Sequence, residues 1–181
     1  MAQPSIPYKV SYRDVKYPRL EFKTGRLLFV LPFGFEVETL WDKYKGWILK
    51  KNEFIQKRLR SKPNKKIIER TEEEFRDLVR FVVKKTLKEL NEDLNKIYFR
   101  TMKTKWASCS ARENLTINRL MKYLPDHLLS YIIFHEIAHL KERRHNDKFW
   151  EIVSRKFNNW KELEKDLFMY WFKVANQKAS E

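Results

Sequence analysis

The first third of the chain shows two different spacings of apolar residues. Between residues 8 and 32, three short segments alternate apolar and polar positions, which predicts strands with the sequences YKVSYR, RLEFK and RLLFVLP. Gly25 lies between the second and third segments and favours a hairpin turn. From Val37 onward, apolar residues recur every three or four positions, which predicts a helix of about twenty residues with a lysine-rich outer side. We therefore expect a small, mostly antiparallel sheet followed by a basic helix.

Helical spacing dominates the rest of the chain. A capping-box pattern at Thr71 and Glu74 begins an amphipathic helix. Two strand-like segments follow around a polar turn, and three more helices come after them. The expected ranges are 96–110 and 114–121 for the strands, and 125–143, 146 onward and 160–174 for the helices.

These elements predict a protein of the α+β class. The polar segment SKPNKK, residues 61–66, is the best candidate for a linker. We expect residues 1–62 to hold the N-terminal strands and the basic helix. Residues 63–181 should form a helical unit with a small sheet beside its central helix, and one continuous domain is the alternative.

Composition and charge narrow the function classes. The 181 residues include 39 Lys and Arg against 24 Asp and Glu, a formal net charge of +15 that favours polyanions such as nucleic acids or nucleotides. We expect no membrane partner, because no run of eighteen apolar residues occurs. The start lacks the layout of a secretion signal, and Cys109 has no second cysteine with which to form a disulfide. These features predict a cytoplasmic protein.

The candidate chemistry lies in the segment YIIFHEIAHLKERRHNDKFW, residues 131–150. His135 and His139 are four residues apart, so a helix presents both imidazoles on one side to a single ion. Glu136 stands beside them, where a general base for water at the metal must sit. His145 is the expected third ligand, because a catalytic zinc has three protein ligands and one open position. Almost every other position of this helix is apolar, which predicts that it is buried nearly all round.

Other residues give alternatives to parts of this interpretation. A glutamate could replace His145 as the third ligand, and Glu151, Glu162 and Glu164 are available. We expect His127 to be an ordinary polar residue of the first helical turn and Cys109 to be a packing residue. Arg119 and Tyr123 are candidate donors for the oxyanion of a peptide-bond intermediate.

The segments WASCSARENLTINRL and FHEIAHLKERRHNDKFW resemble the YgjP-like zinc metallopeptidases, relatives of the WLM and SprT-type proteases. The resemblance extends over nearly the whole chain and departs from the family at Ala107, where glycine is usual. It implies a zincin-like catalytic unit, zinc on His135, His139 and His145, and Glu136 as the base.

The leading hypothesis is a zinc-dependent metallopeptidase acting on peptides or proteins. Two alternatives stay open. The same site could hydrolyse nucleotides or phosphoesters, with the basic surface gathering the substrate. A peptidase could also be recruited to nucleic acid, as the resemblance to WLM and SprT-type proteins implies.

For a peptide substrate, an edge strand beside the metal helix could bind the extended chain by backbone pairing.

Overall fold

The computed structural model describes residues 6–23, 26–60 and 66–178. The chain divides between residues 64 and 65 into two compact units, which we call the N-terminal unit and the C-terminal unit. Helices and small sheets occur together in the described ranges, and the prediction of an α+β protein is confirmed. No helix among the described residues is long and apolar enough to cross a membrane.

The described residues of the N-terminal unit form three strands and one helix. The bounds are β1 Tyr8–Tyr12, β2 Arg19–Lys23, β3 Arg26–Leu31 and α1 Val37–Arg60. The predicted turn at Gly25 and residues 61–65 of the predicted linker lie outside the described residues.

The sheet of this unit is mixed, whereas a mostly antiparallel sheet was expected. Its order is β1-β3-β2, with β2 antiparallel and β1 parallel to β3. The most apolar strand, β3, takes the central place, where Leu27, Phe29 and Leu31 are fully buried. β2 occupies one edge of β3, and β1 pairs with the other edge in the same direction as β3. This order buries the most apolar strand between the other two.

The connection from β3 to α1 is a tight turn. Gly34 has a φ of 79°, a left-handed conformation that glycine adopts without strain, and Phe35 N–H donates to the Pro32 carbonyl at 3.2 Å. Helix α1 then packs on the sheet through Leu40 and Ile48. Its exposed positions still include large apolar side chains, namely Tyr44, Trp47 and Phe54.

The C-terminal unit contains four α-helices, three strands and a short 3-10 helix among its described residues. The bounds are α2 Glu72–Leu90, β4 Lys96–Arg100, β5 Ala107–Cys109, β6 Asn114–Asn118, the 3-10 helix Arg119–Tyr123, α3 Asp126–Lys141, α4 Asp147–Lys156 and α5 Trp160–Lys178.

The residues that flank these helices mark where the helices begin and end. Thr71 and Glu74 form the predicted capping box of α2, and Asn91 ends the helix in the left-handed conformation with a φ of 51°. Pro125 immediately precedes α3. Asn146 caps α4, because its side chain accepts the Phe149 N–H at 3.1 Å.

The second sheet differs from the predicted pair of strands. The expected strand 96–110 is two strands, β4 parallel to β6 and β5 antiparallel to it, and the expected strand 114–121 ends at Asn118. Asn118 is fully buried, and its side-chain amide donates to the carbonyls of Met102 and Lys105 at 2.8 and 2.7 Å. Its side-chain oxygen also accepts the Leu120 N–H that starts the 3-10 helix. This one side chain therefore ties the loop between β4 and β5 to the end of β6.

Helix α3 lies at the centre of the C-terminal unit and contacts α2, β5, α4 and α5. Eight of its sixteen residues are buried, and they occur on several sides of the helix. This packing agrees with the expected burial nearly all round. The polar residues that remain on α3 include those with candidate chemistry.

Candidate metal centre

Three histidines converge near the C-terminal end of α3. His135 and His139 lie one turn apart on this helix, with ring centroids 5.2 Å apart. His145 follows the end of the helix, and its Nε2 lies 3.0 Å from Nε2 of His135. One ring nitrogen of each histidine lies within 4.8 Å of the other two. The structure thus brings together the three histidines that the sequence singles out.

The arrangement suits a divalent ion such as zinc. Zinc–nitrogen bonds of about 2.0–2.1 Å in a tetrahedral site place two ligand nitrogens about 3.3 Å apart. The 3.0 Å separation between His135 and His145 is within a few tenths of an ångström of that value. Neutral imidazoles are the donor type that zinc prefers.

Burial favours the neutral form of two imidazoles of the cluster, those of His135 and His145. Burial, with smaller contributions from His139 and His145, lowers the pKa of His135 to about 3. Burial is also the main cause that lowers the pKa of His145. No proton therefore has to leave these two rings before they can donate a lone pair at neutral pH.

The tautomer of His139 follows from its hydrogen bond. Its Nδ1 lies 3.0 Å from the backbone carbonyl oxygen of Glu142, the residue that ends α3. A carbonyl oxygen only accepts, so Nδ1 carries the hydrogen and Nε2 keeps its lone pair. The chain just beyond the helix therefore orients this ring.

The loop that carries His145 is held on both sides. The Glu142 carboxylate accepts the Arg144 N–H at 3.1 Å, and the Asn146 N–H donates to the Arg144 carbonyl at 2.8 Å. Asn146 in turn caps α4. A short loop with these bonds at each end returns His145 towards α3.

Phe149 forms an apolar floor beneath the three imidazoles. It is fully buried, and its ring centroid lies 4.9, 4.5 and 4.7 Å from those of His135, His139 and His145. The ring of His139 stacks on it with an interplanar angle of 22°. Because the floor fills the space behind the rings, it restricts their rotation and keeps water away from that side.

An aromatic stack supports His145, whose side chain is exposed. The imidazole stacks on Trp150 at 5.6 Å, and Trp150 stacks on Trp160 of α5 at 3.8 Å. Phe149 and Trp150 received no role at the site in the sequence analysis, so this contact was missed. The signal was available, because an aromatic pair follows His145 by one turn.

Glu136 lies next to the cluster and contacts strand β5. Its Oε2 accepts the backbone N–H of Cys109 at 2.9 Å. Burial raises the pKa of Glu136 to about 7, although the Cys109 hydrogen bond and the positive charge of Lys105 act in the opposite direction. A carboxyl group with such a pKa can both take and return a proton near neutral pH.

The glutamates considered as alternative third ligands do not join the cluster. Among the described residues, the group that could hold a metal consists of the three histidines. Glu151 pairs with Arg155 at 2.6 Å. Glu164 accepts the Tyr131 hydroxyl at 2.7 Å, and its side chain lies nearest to Nδ1 of His135, not to Nε2.

The remaining sequence candidates have other surroundings. Arg119, considered as an oxyanion donor, lies 3.7 Å from the carboxylate of Glu72 at the start of α2. The ring of Tyr123 lies under the ammonium group of Lys122. His127 is exposed in the first turn of α3. Burial raises the pKa of the Cys109 thiol to about 11, so the thiol is protonated at neutral pH.

A helix with the pattern His-Glu-x-x-His and a third histidine facing it is the arrangement of a metal-dependent hydrolase. The family model of the YgjP-like metallopeptidase domain matches residues 45–169, about two thirds of the 181 residues. The chain belongs to the YgjP-like metallopeptidase family. It is therefore a metallohydrolase, and members of this class carry a divalent metal, typically zinc.

Two solved structures of archaeal metallopeptidase zymogens are similar to parts of the chain. Abylysin from Pyrococcus abyssi shares 25% identity over 49% of this chain and 90% of its own, with a TM-score of 0.46. Jannalysin from Methanocaldococcus jannaschii shares 31% identity over 50% of this chain and 87% of its own, also with a TM-score of 0.46. No curated protein matches the chain.

Proposed function

We propose that the protein is a zinc-dependent metallopeptidase that hydrolyses peptide bonds, with His135, His139 and His145 as metal ligands and Glu136 as general base. The observation that carries this proposal is the convergence of three imidazoles beside a partly buried carboxylate. When bound, the metal supplies Lewis acidity, which polarises a carbonyl group and makes water more acidic.

The chain's own groups would prepare the site for that ion. His139 offers Nε2 because its Nδ1–H donates to the Glu142 carbonyl. Nε2 of His135 and Nε2 of His145 already face each other. The floor of Phe149 and the stack of Trp150 would hold the rings in these orientations. The imidazoles would therefore need little rearrangement when the ion binds.

Glu136 would move the proton. Its Oε2 is held by the Cys109 N–H, so the carboxyl group cannot rotate freely. It would take a proton from the attacking water and return it to the leaving amine. A divalent cation beside it would lower its pKa from the value of about 7 that burial produces.

Strand β5 is the proposed place for an extended substrate. It lies at the edge of the sheet β4-β6-β5 and contacts α3, and Cys109 of this strand bonds Glu136. An edge strand can pair with the backbone of an extended peptide, which would bring the scissile bond close to Glu136. A nucleotide has no peptide backbone that could pair with a strand. This favours a peptide over a phosphoester as substrate.

The proposal is tested by the metal content of the purified protein. Wild type should contain about one zinc per chain, and His145→Ala should contain much less. Glu151→Gln is the matched control for the alternative third ligand and should keep the wild-type content. If His145→Ala keeps its zinc, the three-histidine site is wrong. Hydrolysis of a nucleoside triphosphate but not of casein would overturn the peptidase assignment.

A nucleic-acid-associated peptidase is a second candidate, supported by the surface of α1. The ammonium group of Lys43 lies 5.4 Å from the ring centroid of Tyr44, and that of Lys51 lies 5.7 Å from that of Phe54. Lysines beside exposed rings suit a single strand, because phosphates contact the cations and bases stack on the rings.

Binding of a fluorescent single-stranded oligonucleotide would test this candidate. We expect affinity that falls steeply with salt and falls again in a Lys43→Ala, Lys51→Ala double variant. Equal binding by that variant and wild type would contradict it.

A cytoplasmic location also stays a prediction, based on the single cysteine.

A further inference from the structure

The side of His135 that faces away from the cluster is unusual. Its Nε2 faces His145, while its Nδ1 is buried and has no hydrogen-bond partner. A buried polar atom without a partner is costly, and nearly all such atoms in folded proteins are paired. Something close to Nδ1 is therefore expected to serve as its acceptor.

Glu164 of α5 is the carboxylate on that side. Its Oε1 lies 4.0 Å from Nδ1 of His135. The side chain is 47% exposed, so a small rotation can shorten this distance to that of a hydrogen bond without disturbing the core. It approaches the ring nitrogen opposite the one that faces the other histidines.

Tyr131 determines where this carboxylate lies. It occupies α3 one turn before His135, is almost fully buried, and donates its hydroxyl to Oε1 of Glu164 at 2.7 Å. Its ring also contacts the His135 ring edge to face, with centroids 5.9 Å apart. The phenol therefore anchors Glu164 beside the imidazole.

We propose that Glu164, held by Tyr131, is the residue that positions His135 in the metal site: it accepts the Nδ1–H and thereby leaves the Nε2 lone pair for the ion. This inference rests on the proposed zinc site. Metal-binding histidines almost always donate their second ring N–H to a carboxylate, a carbonyl or water. His139 already has such an acceptor in the Glu142 carbonyl. With Glu164, both proposed metal ligands of α3, His135 and His139, have one.

The role assigned to Glu164 differs from that of a third metal ligand. A ligand would have to approach the point where the Nε2 atoms of His135 and His145 converge, but Glu164 approaches the opposite nitrogen. The two roles also predict different results on substitution. Loss of a positioning residue weakens zinc binding while one ion per chain still binds, whereas loss of a ligand removes the ion.

Zinc affinity, measured by competition with a chromophoric chelator, is the test. Glu164→Ala should bind zinc about 10- to 100-fold more weakly than wild type with unchanged stoichiometry. Glu164→Gln, which keeps a neutral acceptor, should fall between the two. Tyr131→Phe should also weaken binding, by less, and should add little to the effect of Glu164→Ala because both act on one group.

Glu162→Ala is the matched control, since it removes the same charge from the exposed first turn of α5. Its zinc affinity should equal that of wild type. Long-range proton–nitrogen NMR spectra of the zinc-loaded protein should show His135 with its hydrogen on Nδ1, and the shifted resonance of that hydrogen should move in Glu164→Ala.

Three results would overturn the inference. Wild-type affinity in Glu164→Ala would show that His135 needs no carboxylate. Zinc content near zero in that variant, with His145→Ala still loaded, would make Glu164 a ligand. Absence of zinc from wild type would remove the proposed function and this inference together, whereas the first result leaves the three-histidine site intact.

Discussion

The two units of the chain differ in what their polar and aromatic side chains contact. In the C-terminal unit, imidazoles, carboxylates and indoles contact one another around α3, as the contacts of Phe149 and Trp150 show. In the N-terminal unit, rings such as Tyr17 and Phe33 are largely exposed, and the described residues hold no cluster of metal-binding groups. The four residues of the proposed site all lie in the C-terminal unit, and the N-terminal unit presents the exposed rings on which the nucleic-acid candidate rests.

Removing a proposed ligand should have the largest effect on the C-terminal unit. Structural zinc sites gain about 10–16 kcal/mol, so one of three protein ligands should be worth about 4 kcal/mol, or about 1,000-fold in affinity. We expect a loss of this size for His139→Ala in a chelator competition. His127→Ala, in the first turn of the same helix, should bind zinc like wild type. Equal losses in both variants would point to unfolding of α3 and not to ligation.

Removing the floor beneath the imidazoles should destabilise the same unit. Phe149→Ala leaves a cavity at a fully buried position and should lower the free energy of unfolding by about 3–4 kcal/mol, measured by urea denaturation. Phe81, which is 66% exposed, supplies the control, because Phe81→Ala should change stability by about 0.5 kcal/mol or less. Similar midpoints for Phe149→Ala and wild type would mean that the floor is not packed as described.

The raised pKa of Glu136 predicts a pH-dependent change in stability. The folded protein holds this proton up to a pH of about 7, and the unfolded chain releases it near the ordinary value of 4.5. Unfolding free energy of the metal-free protein should therefore fall as pH rises through this window. Glu136→Gln has no carboxyl group to ionise, so its unfolding free energy should exceed that of wild type by about 1–3 kcal/mol at pH 8.

At pH 4.5 the two proteins should unfold alike, because Glu136 is then protonated in the folded state. Thermal unfolding of both proteins in chelator at the two pH values measures this. A stability difference that does not change with pH would show that the carboxyl group keeps its ordinary pKa.

Changes in the N-terminal unit should have the smallest effect on the metal. Tyr44→Ser alters an exposed ring of α1 and should leave zinc affinity unchanged within error. The same titration used for His139→Ala checks this. A clear loss of zinc affinity would show that the chemistry depends on both units and would remove the contrast drawn between them.

Regular patterns in the sequence predicted most of the fold. The helices at Val37, Thr71 and Trp160 follow from apolar spacing and caps, which are local signals. The pairing of the strands was harder to predict than the helices. The parallel partner of β3 and the division of residues 96–110 into two strands depend on contacts between distant residues, such as those of Asn118.

The candidate site shows the same division. The three histidines and Glu136 could be identified from the sequence because helical spacing places two of them on one side of α3. The groups that hold them could not. Glu164 comes from another helix, and the Glu142 group that bonds His139 is a backbone carbonyl, which no residue type reveals. Only the folded chain brings these groups to the rings.

The most direct test of the proposed function compares peptide hydrolysis by wild type and Glu136→Gln at equal zinc content. General-base catalysis typically raises a reaction rate by about 100- to 10,000-fold. The Glu136 carboxyl group also contacts β5, the strand proposed to bind the substrate. We predict that the variant keeps about one zinc per chain and loses hydrolysis by about 1,000-fold. Turnover within tenfold of wild type at the same zinc content would contradict the assignment of Glu136 and the mechanism built on it.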